Sequence, residues 1–565
     1  MTTIMNVDKC LSDLGGFGRY QLVIIVLFGV LASCLPAWQV FSFIFILYEP
    51  PHYCKTELEP NISIPIAGDG KYEKCSMFRN SNGSDEFSDE TMPCTDGWLY
   101  DVADGEISLV TELDLVCDQT ILSTTAVSIY FCGILAGSFI TGQLSDLIGR
   151  KKTAGLTILV GAIAGTVLVV TKGYIAFVVV WFVLAMCEMS VVTTLFILYA
   201  ELFPPKERTL ALCINTIAWG LGFCLLTPIA YLFPNWRHFQ LAITLPFLLF
   251  VPFWWFVVES PRWLLSKNRY KEVEQVFKKI AKFNGKYDRF VTWKISDDDK
   301  TDITLKDVGI MDSSNGENEA KEMEVKRSPR KVYTILDTVR TPQIRKHTIV
   351  LFYLWCVNSM VYYGLALNSS NVAGNRYINS FLLGLAEVPA YIFTAFAMPR
   401  YGRRKLGLIF HILAAVALFL ILVVPEETDD GKNLTSIITT LAFLGKFGIT
   451  TSYTVVWIFA SEIFPTVVRN IGFSACSMSA RIGGIVAPYV MYLGKYVSWI
   501  PLSIFTVLSL TAGFMMLLLP EALNRPLPET IEDGENFRNV IPLTNTEYQK
   551  AKSEDELPNE SYTNA

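Results

Sequence analysis

The chain has 565 residues, of which 52% are hydrophobic and only 18% charged. A soluble protein of this length would carry about 25% charged residues, so soluble enzymes and secreted disulfide scaffolds are excluded. A net charge of -6 leaves no global basic face for nucleic acid.

The apolar residues are gathered into blocks long enough for helices that cross a bilayer, which needs about 20 residues per span. Twelve such spans are read, at 20–47, 124–143, 153–171, 174–199, 209–232, 239–258, 347–367, 377–398, 406–424, 436–459, 470–493 and 499–520. Only helices fit, because backbone groups in lipid must be satisfied within the segment and the runs do not alternate as barrel strands do. The first span is too long for a signal-peptide core, and Asp8, Asp13 and Arg19 precede it. The fold class is therefore an all-α membrane protein, with a cytoplasmic N-terminus at 1–19, a six-helix half at 20–258, a cytoplasmic loop at 259–345, a second six-helix half at 346–520 and a disordered cytoplasmic tail at 521–565.

Residues 49–120 form a long loop with 4 Lys/Arg against 16 Asp/Glu, net -12, whereas 259–345 carry 19 against 15, net +4. Short loops decide the orientation. Arg150, Lys151 and Lys152 follow span 2, Lys206 and Arg208 follow span 4, and Arg400, Arg403, Arg404 and Lys405 follow span 8. Even-numbered spans thus exit into the cytoplasm, both termini are cytoplasmic, and the acidic loop is outside. Of twelve cysteines, Cys54, Cys75, Cys94 and Cys117 lie in that loop, where an oxidising exterior favours two disulfides among three pairings. The other eight read as small buried hydrophobes. Glycosylation sequons at Asn61, Asn82, Asn368 and Asn433 all fall in external loops, and one at Asn559 falls in the tail. The stretch 296–331 is polar and aromatic-poor and reads as disordered. Residues 259–290 open with Ser260-Pro261-Arg262-Trp263, an N-cap and a first-turn proline, and read as short helices.

An internal repeat joins the halves. Glu201-Leu202-Phe203-Pro204 with Arg208 recurs as Glu462-Ile463-Phe464-Pro465 with Arg469, at an offset of 261. Ile148-Gly149-Arg150-Lys151 is echoed by Tyr401-Gly402-Arg403-Arg404, at an offset of 253. Two six-helix halves in the same orientation are the pattern of a parallel-repeat transporter.

Gly142-Gln143-Leu144-Ser145-Asp146-Leu147-Ile148-Gly149-Arg150-Lys151 is similar to the major facilitator signature between helices 2 and 3. Glu259-Ser260-Pro261-Arg262-Trp263-Leu264, Leu527-Pro528-Glu529-Thr530 and the loop from Cys54 to Glu112-Leu113-Asp114-Leu115-Val116-Cys117 resemble the organic cation/anion/carnitine transporter family. The resemblance runs from about residue 10 to about 532. Pro465-Thr466-Val467-Val468-Arg469-Asn470 and Ser479-Ala480-Arg481-Ile482-Gly483 lie nearest its carnitine/zwitterion branch. It implies the major facilitator fold, alternating access and a small organic ion as substrate; separately, no cofactor and no metal are expected from the residues. In that setting Asp146, Arg150, Glu201 and Arg208, with Glu462 and Arg469 in the second half, read as a cytoplasmic gate whose charge pairs form in one state and break in the other. Pro399 stands where Asp146 has its counterpart, so the second copy is expected to be weaker or built differently.

Ionisable groups within spans are costly, about 2.5–3.5 kcal/mol each, and each is a candidate for function. Arg481 in span 11 can clamp a carboxylate or be locked to a neighbouring Glu. Glu387 in span 8, just before Val388-Pro389, can hold an ammonium or exchange a proton, or pair with Arg481 or Lys446. Lys446 in span 10 can contact an anion or pair with a carboxylate. Glu188 in span 4 stays open among proton carrier, cation site and counter-charge to Lys446. Tyr362, which resembles a family cavity tyrosine, and Trp355, Tyr453, Trp457 and Trp38 can offer π faces to an alkylammonium. Sodium-coupled carnitine members carry an Asn after a Pro in helix 1. Here the pair is Pro36-Ala37, without a side-chain oxygen, which leaves facilitated diffusion, exchange or proton coupling.

The expected function is plasma-membrane transport of small organic zwitterions or cations, such as carnitine-like betaines, β-amino acids or carcinine-like amine conjugates. Arg481 takes the carboxylate end, and Glu387 with Tyr362 the amine. The alternatives are an organic-anion exchanger using Arg481 and Lys446, a sugar facilitator, and a non-transporting receptor signalling through 296–331. Catalysis is not expected, since no metal spacing, nucleophile triad or nucleotide loop occurs and His52, His238, His347 and His411 are scattered.

Overall fold

The computed structural model describes residues 7–537 apart from 57–58, 68–70, 81–86, 251–252, 289–333, 371–373, 426, 429–431 and 524. The readings made above for 296–331, Asn82, Asn559 and the end of the tail fall outside the described residues.

A helix stands at each expected span: Arg19–Ile46, Thr120–Ile148, Arg150–Val170, Tyr174–Leu202, Pro205–Leu232, Trp236–Phe256, Pro342–Leu367, Arg376–Tyr401, Arg403–Val423, Thr435–Ile463, Arg469–Tyr492 and Ile500–Met516, here spans 1 to 12. Ten of them are long and apolar enough to cross a bilayer by length and composition alone. Span 12 is shorter, at 17 residues, and span 11 carries Arg481 among small polar residues. Several helices outrun their apolar blocks. Span 2 continues through Asp146 to Ile148 because its backbone stays helical until Gly149, whose φ of 107° only glycine adopts freely. Pro246 turns the middle of span 6 into a 3-10 stretch, Leu245–Phe250.

Spans 1–6 and spans 7–12 form two halves that meet where span 2 packs on span 11 and span 5 on span 8. Ser128 donates to the Ile485 carbonyl at 2.9 Å across the first seam. At the second, a Cβ on Gly384 would lie 2.9 Å from the Cys224 nitrogen, so glycine is what allows spans 5 and 8 to touch.

One end of the bundle, the loop face, carries residues 49–120. To the helices this loop adds two small antiparallel sheets, His52–Cys54 with Trp98–Tyr100 and Ser76–Asn80 with Phe87–Pro93. Its cysteines pair as Cys54–Cys94 and Cys75–Cys117. Glu112 anchors it to span 6 by accepting from Trp236 Nε1 at 2.8 Å and from Arg237 Nε at 3.1 Å. Burial raises the Glu112 carboxyl, but these hydrogen bonds outweigh it and hold the group below the usual carboxylate range. Asn61 and Asn433 are exposed, and Asn368 is half-buried.

The opposite end, the tail face, gathers the N-terminus, the short helices Pro261–Ser266 and Tyr270–Phe283, and the start of the tail. The Tyr20 hydroxyl accepts from Val258 N at 3.1 Å, and Asn284 accepts from Tyr20 N at 2.8 Å. The tail departs from its disordered reading over 521–537. Thr530 caps a helix at Ile531–Asn536, Phe537 is buried, and Glu535 accepts from the Gln343 and Ile344 amides at 2.9 and 3.3 Å. Those amides are unpaired donors at the start of span 7, so an acidic residue that composition assigns to solvent serves as an external cap.

Candidate functional site

Lys446 of span 10 is fully buried at the centre of the bundle. Its ammonium lies 3.0 Å from Glu387 Oε1 on span 8 and 3.3 Å from the ring centre of Tyr362 on span 7. Phe41 of span 1 and Phe223 of span 5 stack on each other at 3.9 Å and flank the ammonium at 5.7 and 5.5 Å. Glu387 also accepts from the Tyr362 hydroxyl at 2.5 Å and from Tyr391 at 3.3 Å, while Trp219 Nε1 donates to Tyr362 at 3.3 Å. Four spans thus build one carboxylate and aromatic cage around a cation from a fifth. Such a cage recognises ammonium groups in general, since ring faces and a carboxylate both favour positive charge. Here the occupant is the chain's own lysine. Glu387 pairs with Lys446 and not with Arg481.

A second cluster continues toward the tail face. Tyr453 and Trp457 follow Lys446 at seven and eleven residues, on the same side of span 10. Tyr362 meets Tyr453 at 6.0 Å, Tyr453 meets Trp355 edge-on at 5.9 Å, and Trp355 meets Trp457 at 6.3 Å. Phe473 packs on both tryptophans, and Phe196 reaches Trp457 from the other half at 5.6 Å. Arg481 lies beside this cluster, with Nη2 3.6 Å from Met189 Sδ and the Tyr363 and Tyr453 hydroxyls within electrostatic reach. Among the described residues no carboxylate lies within ion-pairing distance of it, and its Nε is buried without a partner. The reading of Arg481 as locked to a neighbouring Glu is therefore corrected.

Glu188 is apart from both clusters. It is buried, next to Gly161 of span 3, where a Cβ would stand 3.6 Å from Oε1, and its Oε2 has no hydrogen-bond partner. It is not the counter-charge of Lys446, which Glu387 supplies at 3.0 Å.

At the tail face Arg150 joins Asp146 at 2.8 Å and Glu201 at 3.4 Å. Glu259 accepts from the Lys151 amide at 3.0 Å, capping span 3. The second half repeats the plan without the Asp146 equivalent. Arg403 grips Glu462 with Nε and Nη2 at 2.8 and 2.7 Å, and Glu521 caps span 9 through the Arg403 and Arg404 amides at 2.8 and 3.1 Å. The partner of Glu462 is thus Arg403. Arg469 instead donates to the Phe464 and Pro528 carbonyls at 3.1 and 3.5 Å, and no feature of its sequence distinguishes the two arrangements. The Arg208 side chain lies outside the described residues. Among the described residues the tail-face pairs stay within one half each. The pairs that cross between halves, Glu106–Arg376 and Glu49–Lys495, lie on the loop face.

Phe41, Phe223, Trp219 and Tyr391 were not singled out from the sequence. Tyr391 had a signal, four residues after Glu387 and so on the same helix face. The other three are aromatics in lipid-length helices, with no charge beside them to mark their face.

Residues 69–533 match the family model described as sugar (and other) transporter. The chain is 35% identical to the organic cation transporter protein of Drosophila melanogaster, over 94% of this chain and 95% of that one. It is 34% identical to solute carrier family 22 member 4 of Mus musculus, covering 94% and 95%. It is 31% identical to organic cation/carnitine transporter 2 of Homo sapiens, covering 93% of each. Among solved structures, the inward open xylose transporter XylE from E. coli superposes with a TM-score of 0.59 at 14% identity, over 92% of this chain and 99% of that one. At that identity the likeness speaks for the fold.

Proposed function

Since the chain belongs to the organic cation/carnitine transporter family, a branch of the major facilitator transporters and not an enzyme family, we propose that it carries small organic zwitterions or cations across the plasma membrane by alternating access. Carnitine-like betaines, β-amino acids and carcinine-like amine conjugates are the substrate classes that fit. Both termini face the cytoplasm in this reading, and the loop face, with its sequons, is extracellular.

One observation carries the proposal. The central cage already holds a cation against Glu387, and Arg481 lies beside the adjoining aromatic cluster with no carboxylate partner among the described residues. A zwitterion supplies the carboxylate that Arg481 lacks and a cation that competes with Lys446 for Glu387. Its carboxylate takes the two parallel donors of Arg481, and its ammonium replaces Lys446 against Glu387 and the Tyr362 ring. Displaced from Glu387, Lys446 must find another anion or lose its proton, and this links substrate entry to an exchange partner or a proton.

An organic-anion exchanger is the second reading, and a specific feature favours it. Lys446 and Glu387 neutralise each other, so Arg481 is a net positive charge beside the adjoining aromatic cluster. Uptake in cells separates the two. Betaine uptake is expected to fall about 30-fold or more in Arg481→Ala, the loss typical of truncating a buried charge partner, while a simple quaternary ammonium is spared. Loss of aromatic carboxylate uptake, with betaines never transported, would make the chain an anion exchanger. Betaine uptake that survives the substitution would remove Arg481 from the site.

A further inference from the structure

We propose that the loop-face mouth carries a second organic-cation site, built from Glu106, Tyr48 and Phe45 on the first half, which Arg376 of the second half fills when the mouth is closed. The proposal rests on the organic-cation reading above and adds to it a docking point far from the central cage.

Arg376 opens span 8 and reaches across the seam. Its guanidinium centre lies 3.7 Å over the Tyr48 ring and 4.7 Å from the Tyr377 ring, and its Nη2 pairs with Glu106. Both charged side chains are largely removed from water, at 15% and 14% exposure. Phe45 stacks on Tyr377 at 5.8 Å and 11°, and Tyr231 meets Tyr377 edge-on at 5.5 Å. A cavity of about 20 Å³ lined by Glu106, Phe45, Arg376 and Tyr377 is left over, room for about one water. With Arg376 in place, the site is full.

The receiving side is rigid and belongs to the first half. Ile107, next to Glu106, is bridged to Asn235, and its carbonyl accepts from Trp236 N at 2.9 Å, which ties the loop to the start of span 6. Phe45 lies in the last turn of span 1 and Tyr48 two residues past its end. When the halves part on this face, Arg376 and Tyr377 leave together, and Glu106 remains beside two aromatic rings without a counter-ion. An uncompensated carboxylate in such a setting is unfavourable. A cation of the same chemistry as the departing guanidinium restores the balance: an alkylammonium or a guanidine. The surrounding loop, net -12, concentrates such cations at this mouth. The other pair across the seam, Lys495 with Glu49, has no ring contact among the described residues and is more exposed, at 38% and 26%, so it serves as a simple clasp.

Equilibrium binding of labelled tetramethylammonium to membranes holding the full chain at 4 °C tests this. Arg376→Gln vacates the cage and is expected to show one saturable site more than the wild type. Adding Glu106→Gln should remove that site, and Arg376→Lys, which refills the cage, should also lack it. An unchanged site number in Arg376→Gln, or an extra site that survives Glu106→Gln, overturns the proposal. Should Arg376→Gln not reach the cell surface, tetramethylammonium uptake by Glu106→Gln decides instead. Its KM is expected to rise about tenfold with kcat held, and an unchanged KM refutes the site. The two proposals fail separately. A Glu106-dependent extra site in a chain that transports no organic cation would leave this inference standing and remove the transport reading. Cation uptake without the extra site would do the reverse.

Discussion

Lys446 and Arg376 are each a cation held over a tyrosine ring by one carboxylate, but they sit in different media. Lys446 and Glu387 have no exposure at all, whereas Arg376 and Glu106 keep about a seventh of their side-chain surface. The central pair has one half as its source, on spans 8 and 10, while the mouth pair joins the two halves. In a fully buried centre neither charge can leave without a replacement, so the pair stays until a substrate offers one. At the mouth, water and external cations can replace a partner, so the pair can open. The same chemistry is a binding site in one place and a closure in the other because of burial.

The strongest way to break this comparison is a double-mutant cycle at each pair. Glu387→Ala alone strands a buried ammonium and is expected to cost about 3–5 kcal/mol, read as a lowered Tm of the purified protein. Glu387→Leu with Lys446→Met should recover most of that loss, since an apolar replacement of a buried pair is often neutral. The same cycle at Glu106 and Arg376 should give a smaller coupling, nearer about 2 kcal/mol. Equal couplings at the two pairs would end the argument from burial.

A further test takes a tail-face pair buried to about the same degree as the mouth pair. Arg403 and Glu462 keep 15% and 18% exposure and share two hydrogen bonds, whereas Arg150 divides itself between Glu201 and Asp146, the latter 72% exposed. Arg403→Gln is expected to lower stability by about 2 kcal/mol and to slow turnover at the membrane more than Arg150→Gln does. The reverse order in surface-normalised turnover would mean that the exposed Asp146 contact outweighs the buried one.

The spans were legible because lipid demands long apolar blocks and nothing else in the chain imitates them. Their ends were less so: span 7 starts at Pro342 and not at 347, since a helix continues beyond lipid wherever caps allow. Glu387 and Lys446 could be read as candidates because a charge in an apolar block is conspicuous, and Tyr362 because it resembles a family cavity tyrosine. Their partners could not. Glu387 had two cations to choose from, and only the tertiary placement assigns it to Lys446 and leaves Arg481 alone. Glu188 shows the limit: its charge was plain from the sequence, its seat beside Gly161, away from the cage, was not. Glu535 shows another. Its composition speaks for solvent, and its role as a cap depends on two amides 191 and 192 positions away.

The smallest expected effect lies at the outer edge of the same gradient, in the anchor of the acidic loop. Glu112 keeps 31% side-chain exposure, and Arg237 and Trp236 hold its carboxyl below its usual range despite burial. A carboxyl depressed in the folded state adds stability above its unfolded pKa, about 4.3, and loses it as the pH falls through the folded value. The anchor should therefore be constant from neutral pH down to about pH 5 and weaken below about pH 4, by less than about 1 kcal/mol because the pair is partly solvated. Hydrogen exchange at residues 107–112 reads this directly. Protection should fall in acid in the wild type, and Glu112→Gln should start lower and lose that acid dependence. An acid loss that persists in Glu112→Gln would shift the cause to another carboxylate of the loop. It would also weaken the case that Glu106 stands on a fixed support, since Ile107 and Glu112 share the same attachment to span 6.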